Sequence, residues 1–306
     1  MLAPMQGITN RALRSLFVER YGPDVVFTEY VLVRSGVKKP VAKTDCQEVM
    51  SSGVKNIPLV VQLIGSDTKA LIAAAEIVQD LGAKHININL GCPYGRMANK
   101  TAGGALLQQP DRLAGILSSL RPHVRGSFSV KVRSGLEDSS ELPSLLDLFE
   151  NCGVDFIIVH PRTVVQQYGG IADHRVTAAA VKQSSLPVIA NGDIFTEADG
   201  RQVLEQTASA GLMLGRGAIA DPFLFERIRG RYDAVSSPER RGQELKEYML
   251  ELLERYKEIF CGEQQVLSKM KEILGQIQDP VYRKTVRQLL KSKRIDRFVE
   301  LLDGLK

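Results

Sequence analysis

The chain has 306 residues, of which 44% are hydrophobic and 25% charged, values that are ordinary for a soluble globular protein. This length fits a barrel of roughly 250 residues plus a small second unit. The sequence contains no run of about 18 apolar residues, so it predicts no transmembrane helix. Residues Met1 to Met5 lack the basic segment and the cleavage site of a signal peptide. A net charge of +5 permits a polyanionic partner without requiring one.

The four cysteines, Cys46, Cys92, Cys152 and Cys261, form no C-x-x-C pair and match no zinc spacing. This usage indicates a reducing compartment, which we expect to be the cytoplasm. We therefore expect neither disulfides nor a bound metal.

Short apolar runs alternate with helical stretches up to about Arg231. Continuous apolar runs are typical of parallel strands that are covered on both faces. Eight such strands alternating with helices predict a (β/α)8 TIM barrel, an α/β fold, and an open doubly wound sheet is the alternative. The predicted strands are Leu2–Met5, Val25–Thr28, Pro58–Ile64, His85–Leu90, Ser127–Val132, Phe156–His160, Pro187–Ala190 and Leu212–Leu214.

Helix signals agree with this alternation. Asp67 is a predicted N-cap, and Gly82 follows the same helix as a stop. Thr196 and Asp199 have the spacing of a capping box.

A turn-rich connector at 234–238 separates the alternating pattern from purely helical patterns, the last of which runs from Val281 to Leu302. We therefore expect a barrel domain at 1–235 and a small all-helical C-terminal domain at 236–306, with two to four helices.

Polar residues fall where the predicted strands end, which is the functional face of a barrel. After strands 7 and 8, Gly192 and Gly215 let the backbone approach a ligand closely, and Arg216 offers a charge. With Asn191 and Asp193 they predict a phosphate site.

Two further side chains should point into the barrel mouth. The Gln62 amide can pair with the donors and acceptors at the edge of a flavin ring, and the Lys131 ammonium can stabilise the anion formed on reduction. Together with the phosphate site they predict an FMN cradle.

Cys92 lies between Gly91 and Pro93 at the end of strand 4. An unperturbed thiol, with a pKa of about 8.5, is mostly protonated at neutral pH and can donate a proton. A nucleophilic role would require a nearby cation to lower that pKa. Because Arg96 and Lys100 lie close in sequence, both roles stay open at this point.

The chain resembles the dihydrouridine synthase family over roughly residues 1–230. The residues that carry the resemblance are Ala3-Pro4-Met5, Phe27-Thr28-Glu29, Val61-Gln62-Leu63, Asn87-Ile88-Asn89-Leu90-Gly91-Cys92-Pro93, Gly103-Gly104-Ala105-Leu106-Leu107, Val130-Lys131-Val132-Arg133, His160-Pro161-Arg162-Thr163, Tyr168-Gly169-Gly170, Asn191-Gly192-Asp193 and Gly215-Arg216-Gly217.

The resemblance implies an FMN enzyme, reduced by NADPH, that passes hydride to C6 of a uracil in tRNA while Cys92 protonates C5 as general acid. His160, with the residues proposed above, would bind FMN, and Pro4 and Met5 would lie beside its ring. Asn89 would lie between flavin and substrate, and Arg162 would contact the base or the RNA backbone.

A basic stretch near the C-terminus suggests how tRNA would bind. At helical spacing Lys284, Arg287, Lys291 and Arg294 fall on one stripe, although a solvated charged face has the same pattern. We expect the protein to be a monomer. We expect it to bind tRNA and not a membrane. The alternatives are an FMN barrel acting on a free pyrimidine, and an RNA-binding barrel without catalysis.

Overall fold

The structure, a computed structural model, describes residues 1–50, 57–92, 102–233 and 237–305. The parallel sheet contains β1 (Val26–Phe27), β2 (Val31–Leu32), β3 (Leu59–Ile64), β4 (His85–Leu90), β5 (Ser127–Arg133), β6 (Phe156–His160), β7 (Val188–Asn191) and β8 (Gly211–Met213). Its order is β1-β3-β4-β5-β6-β7-β8, and β2 extends the same edge of β3 beyond β1.

Leu2 closes this sheet into a barrel. It forms parallel bridges with both Val26 and Leu214, so the N-terminal segment lies between β1 and the chain that follows β8. The Ala3 N–H donates to the Leu214 carbonyl over 2.8 Å, and the Leu2 N–H donates to the Val25 carbonyl over 2.8 Å. The (β/α)8 arrangement predicted from the sequence is therefore confirmed, and the open doubly wound sheet is not observed.

Helices cover the outside of the barrel. They are α1 (Arg11–Arg20), α2 (Lys43–Met50), α3 (Thr68–Asp80), α4 (Pro110–Leu120), α5 (Leu142–Asn151), α6 (His174–Gln183), α7 (Glu197–Thr207), α8 (Arg216–Ala220) and α9 (Leu224–Ile228). The predicted helix starts are confirmed, since the Asp67 carboxylate accepts the Ala70 N–H, and Thr196 with Asp199 forms a capping box.

Four helices complete the described chain: α10 (Pro238–Ile259), α11 (Glu263–Leu274), α12 (Arg283–Lys291) and α13 (Ile295–Leu302). Tyr248 on α10 lies edge-to-face against Phe17 of α1, with ring centroids 6.1 Å apart. One buried apolar cluster runs from Leu2 and Phe17 into α10 and α11. The proposed division at 235/236 falls in residues 234–236, outside the described residues, and stays a prediction.

Two sequence expectations need correction. The predicted strand Leu2–Met5 is reduced to the bridge at Leu2. The predicted helical stretch from Val281 to Leu302 is two helices, because the backbone becomes extended at Ser292 and at Arg294. Arg294 therefore precedes α13 and does not share a helix face with Lys284. The short strand β2 was not predicted.

Among the described residues, no helix is both long and apolar enough to cross a bilayer.

Candidate active site at the barrel mouth

Two adjoining cavities open where the barrel strands end. The smaller has a volume of about 100 Å³ and the larger about 530 Å³. Residues from opposite sides of the barrel line both cavities, which therefore form one continuous site. The shared lining residues are Pro4, Met5, Lys131, His160, Tyr168 and Arg216.

The loops after β7 and β8 form the smaller cavity, whose lining includes Asn191, Gly192, Asp193, Gly215 and Arg216. The sequence-predicted phosphate residues are thus brought together. Gly192 has a φ of +126°, and a Cβ there would lie 2.9 Å from the His160 ring. Glycine is therefore required if the backbone is to pass the imidazole at this point.

Asp193 organises the charges of this cavity. Its carboxylate accepts two hydrogen bonds from Arg162, at 2.6 and 2.9 Å, and one from Arg216 at 3.1 Å. Burial alone would raise the pKa of Asp193, but these bonds and the Ala172 N–H hold it below its ordinary value. Asp193 thus orients Arg216 beside the cavity that Asp193 also lines, and its role as a direct cofactor ligand stays a prediction.

Arg162 occupies a different position from the predicted substrate contact. It is 2% exposed and lines neither cavity. Besides Asp193, its guanidinium donates to the carbonyls of Gly169 and Gly170 at 3.0 and 2.7 Å. These partners occupy most of its donors, so Arg162 supports the loop after β6, and its contact with the base or the RNA backbone stays a prediction.

His160 is held as a neutral imidazole. Burial, followed by the charge of Lys131, lowers its pKa far below the ordinary value. An Arg162 N–H points at the His160 Nε2 over 3.3 Å. The ring proton therefore belongs on Nδ1, and the imidazole adds no charge to the cavity.

Lys131, on β5, lines both cavities and is only partly buried. Burial, followed by the charge of Arg133, lowers its pKa to about 7, while Cys92 acts in the opposite direction. The amine is therefore close to its protonation midpoint near neutral pH, where a neighbouring anion would draw it into the charged form.

A chain of side-chain hydrogen bonds links the neighbouring strands β3, β4 and β5. Asn89 donates to the Gln62 carbonyl oxygen over 2.8 Å, and Gln62 donates to Asn87 over 2.8 Å. Asn87 in turn donates to the Ser129 hydroxyl over 2.9 Å. Gln62 is fully buried and lines neither cavity, so the structure places it below the expected flavin-facing position.

The backbone around Cys92 is held from two directions. The side-chain Oδ1 of Asn89 accepts hydrogen bonds from the backbone N–H groups of Gly91 and Cys92, each at 3.0 Å. Arg133 donates through its Nε to the Gly91 carbonyl over 2.9 Å. These contacts present the half-buried Cys92 to the larger cavity, which Asn89 and Lys131 also line. Pro93, Arg96 and Lys100 lie outside the described residues.

Two aromatic side chains, Tyr168 and Phe195, lie against the arginines of the site. Neither has a role predicted from the sequence. Arg216 lies over the Tyr168 ring at 5.0 Å and over the Phe195 ring at 5.3 Å. Tyr168 also lies beneath Arg133 at 5.7 Å. For Tyr168, the sequence signal was an aromatic residue followed by Gly169 and Gly170 in the loop after β6.

Three of the four residues predicted as the basic stripe lie together on α12. Lys284, Arg287 and Lys291 are exposed and line a shallow groove of about 370 Å³. None of the three forms an ion pair with another described residue. Arg294, in contrast, pairs with Asp296 at the start of α13.

Comparison with known proteins matches residues 1–303 to the family described as "Dihydrouridine synthase (Dus)". Among curated proteins, a probable tRNA-dihydrouridine synthase of Rhodobacter capsulatus is 36% identical over 78% of this chain and 73% of its own length. The tRNA-dihydrouridine synthase B of Vibrio cholerae is 35% identical over 82% of this chain and 77% of its own.

Two solved structures show the same barrel architecture at 14% identity. Histamine dehydrogenase from Rhizobium sp. 4-9 has a TM-score of 0.56, covering 74% of this chain and 43% of its own. 2-Naphthoyl-CoA reductase has a TM-score of 0.54, covering 72% of this chain and 46% of its own. The match over residues 1–303, together with the curated relatives, shows that the chain belongs to the dihydrouridine synthase family.

Proposed function

We propose that this protein is a tRNA-dihydrouridine synthase that uses FMN, reduced by NADPH, to saturate the C5–C6 bond of a uridine in tRNA. The observation that carries the proposal is the single mouth lined by Cys92, Lys131 and Arg216. The tRNA substrate follows the names of the curated relatives. NADPH follows from the family resemblance.

The residues at the mouth fit FMN. Arg216 faces a small cavity in which Gly192 and Gly215 leave room for a phosphate beside backbone groups. The Lys131 side chain donates no hydrogen bond to another described residue, and it lines both cavities. Pro4 and Met5 offer an apolar wall in both cavities. The residues proposed to hold FMN are therefore Pro4, Met5, Lys131, His160, Asn191, Gly192, Asp193, Gly215 and Arg216.

Bound FMN would supply the hydride that adds to C6 of the uracil. The second hydrogen, a proton for C5, would come from the Cys92 thiol, leaving a thiolate that regains its proton from solvent. Asn89 and Arg133 hold the Cys92 backbone so that this thiol reaches the larger cavity. Lys131 would balance negative charge that develops beside it. One hydride and one proton account for both atoms added to the double bond.

For tRNA binding we propose the exposed α12 cations Lys284, Arg287 and Lys291, in keeping with a helical RNA-binding unit at 236–306. Cations on a surface pair with phosphates without reading sequence. A uridine in folded tRNA must leave its stack to enter the mouth, which requires that the surrounding RNA be held meanwhile.

The test is purification of the protein, release of its cofactor and assay of its reaction. We expect a yellow protein that releases FMN and forms dihydrouridine in tRNA with NADPH, and not on free uracil. Release of FAD, or turnover on free uracil but not on tRNA, would contradict the proposal. A colourless protein that cannot be reconstituted with FMN would favour an RNA-binding barrel without catalysis.

A further inference from the structure

The helical unit contributes one side chain to the larger cavity. Gln276 follows α11 and lines the same cavity as Cys92, Asn89 and Lys131. The other lining residues come from the barrel and its loops. A residue from outside the barrel thus faces the groups proposed to perform the chemistry.

The backbone at Gln276 is firmly placed. Its N–H donates to the Ile273 carbonyl over 2.9 Å, and the Ile277 N–H donates to the Leu274 carbonyl over 3.0 Å. Ile273, Leu274 and Ile277 are all buried in the apolar cluster that joins α11 to the barrel. Gln276 itself is half-buried. Because those three neighbours are buried, the position of its Cα is fixed.

A second contact ties α11 to the loop that carries Met5. Lys269 donates to the Gly7 carbonyl over 3.1 Å, and the Gly7 N–H donates to the Glu29 carboxylate over 2.7 Å. Gly7 has a φ of +80°, and a Cβ there would lie 2.9 Å from the Glu272 carboxylate. The end of α11 is therefore placed directly against the cavity wall.

The Gln276 amide differs from the other amides of this region. Gln62, Asn87 and Asn89 all hydrogen-bond one another or their neighbours. In the part of the chain that the structure describes, no hydrogen bond involves the Gln276 side chain. An amide offers two N–H donors and a carbonyl acceptor, and a half-buried amide gains by finding partners.

We infer that Gln276 is a positioning residue that hydrogen-bonds the nucleotide entering the cavity, an inference that rests on the proposed function. Both the polar edge of a uracil and a ribose 2′-hydroxyl present a donor and an acceptor, the pair that an amide matches. Such a contact would let the helical unit, which also carries the α12 cations, take part in placing the base beside Cys92.

The test compares Gln276→Met, which removes the amide and keeps the length of the side chain, with Gln278→Met, an exposed residue outside the cavity lining. With reduced enzyme and subsaturating tRNA, we expect Gln276→Met to slow flavin reoxidation about three- to tenfold, the effect of one neutral hydrogen bond. Its Kd for tRNA, measured without turnover, should rise within the same range. Gln278→Met should match wild type in both.

Three tRNA-independent measurements separate positioning from a structural role: flavin content, reduction by NADPH and reoxidation by dioxygen should all be unchanged in Gln276→Met. Parallel loss in these, or behaviour equal to Gln278→Met, would overturn the inference. A tRNA with 2′-deoxyuridine at the target then locates the contact. A variant effect that vanishes on it identifies the ribose, and an effect that persists identifies the base edge. If wild-type enzyme makes no dihydrouridine at all, the proposed function fails as well.

Discussion

The barrel mouth and the α12 face are built on opposite principles. At the mouth, Cys92, Arg216 and their supports are held by hydrogen bonds with defined partners, such as Asn89 and Asp193. On α12, Lys284, Arg287 and Lys291 extend from one exposed helix face. A side chain held in one position acts through its geometry, so that its loss lowers activity or cofactor affinity strongly. Exposed cations act through their summed charge, so that one can substitute for another. Loss of a residue at the mouth should therefore cost more than loss of an α12 cation.

The largest effect is expected at Cys92. Cys92→Ala should retain FMN and its reduction by NADPH, yet form dihydrouridine about 10²–10⁴-fold more slowly, the usual cost of losing a general acid. Flavin reoxidation by tRNA in single turnovers measures this directly. Cys261→Ala, at an exposed position on the helical unit, is the matched control. Wild-type rates in Cys92→Ala would assign the thiol a structural role.

Arg216→Ala should weaken FMN binding while leaving the fold intact. A charge-assisted hydrogen bond contributes about 1.5–3 kcal/mol, which corresponds to an increase in Kd of about 10- to 150-fold. Fluorescence titration of apoprotein with FMN gives this value. Arg175→Ala removes an arginine that is 90% exposed and pairs only locally with Asp173, and should leave the Kd unchanged. Equal affinities in the two variants would place the phosphate elsewhere.

On α12 the effect should be smaller and dependent on salt. Arg287→Glu with Lys291→Glu should weaken tRNA binding about tenfold at low salt and flatten the salt dependence by about 0.7–0.9 per lost contact. NADPH oxidation through FMN should continue normally. The control, Lys84→Glu with Lys182→Glu, makes the same charge change beside the start of β4 and at the end of α6, away from the mouth. An unchanged salt slope in the α12 variant would mean that RNA binds elsewhere.

The smallest effect concerns a single proton at Lys131. Its pKa of about 7 lies below the ordinary 10.5, so the amine is largely neutral at pH 8.5 and charged at pH 6. An anionic ligand should raise that pKa, so at pH 8.5, where the FMN phosphate is already fully ionised, FMN binding should take up as much as one proton through Lys131. Calorimetry in buffers of different ionisation enthalpy counts these protons. Lys131→Met should abolish the uptake, and an equal uptake in that variant would assign it to another group.

The same lowered pKa has a consequence for the ligand-free protein. Between about pH 7 and 10.5 the unfolded chain, in which the amine has its ordinary pKa, binds more protons than the folded protein. The contribution of Lys131 to stability should therefore improve as pH rises through this window. Urea unfolding of apoprotein and of Lys131→Met across the window would show whether the difference between them follows that trend.

The sequence by itself determined the barrel and most of its mouth. Apolar runs such as His85–Leu90 are covered on both faces, and their alternation with capped helices is a local pattern. Because parallel strands end at one face, polar residues near the ends of separate strands, such as Cys92, Lys131 and Arg216, could be expected to meet.

Only the tertiary structure decided how those residues share their tasks. Arg162 and Arg216 both follow barrel strands closely, yet Arg162 is buried by its partners and Arg216 reaches the cavity. Gln62 is buried because Asn87 and Asn89 on β4 offer a hydrogen-bond acceptor and a donor to its side-chain amide. Helical spacing also placed Arg294 on the basic stripe, but α12 ends at Lys291 and the backbone is extended at Ser292. Gln276 had no local signal, since its position comes from α11 packing against the barrel, a contact between residues far apart in the chain.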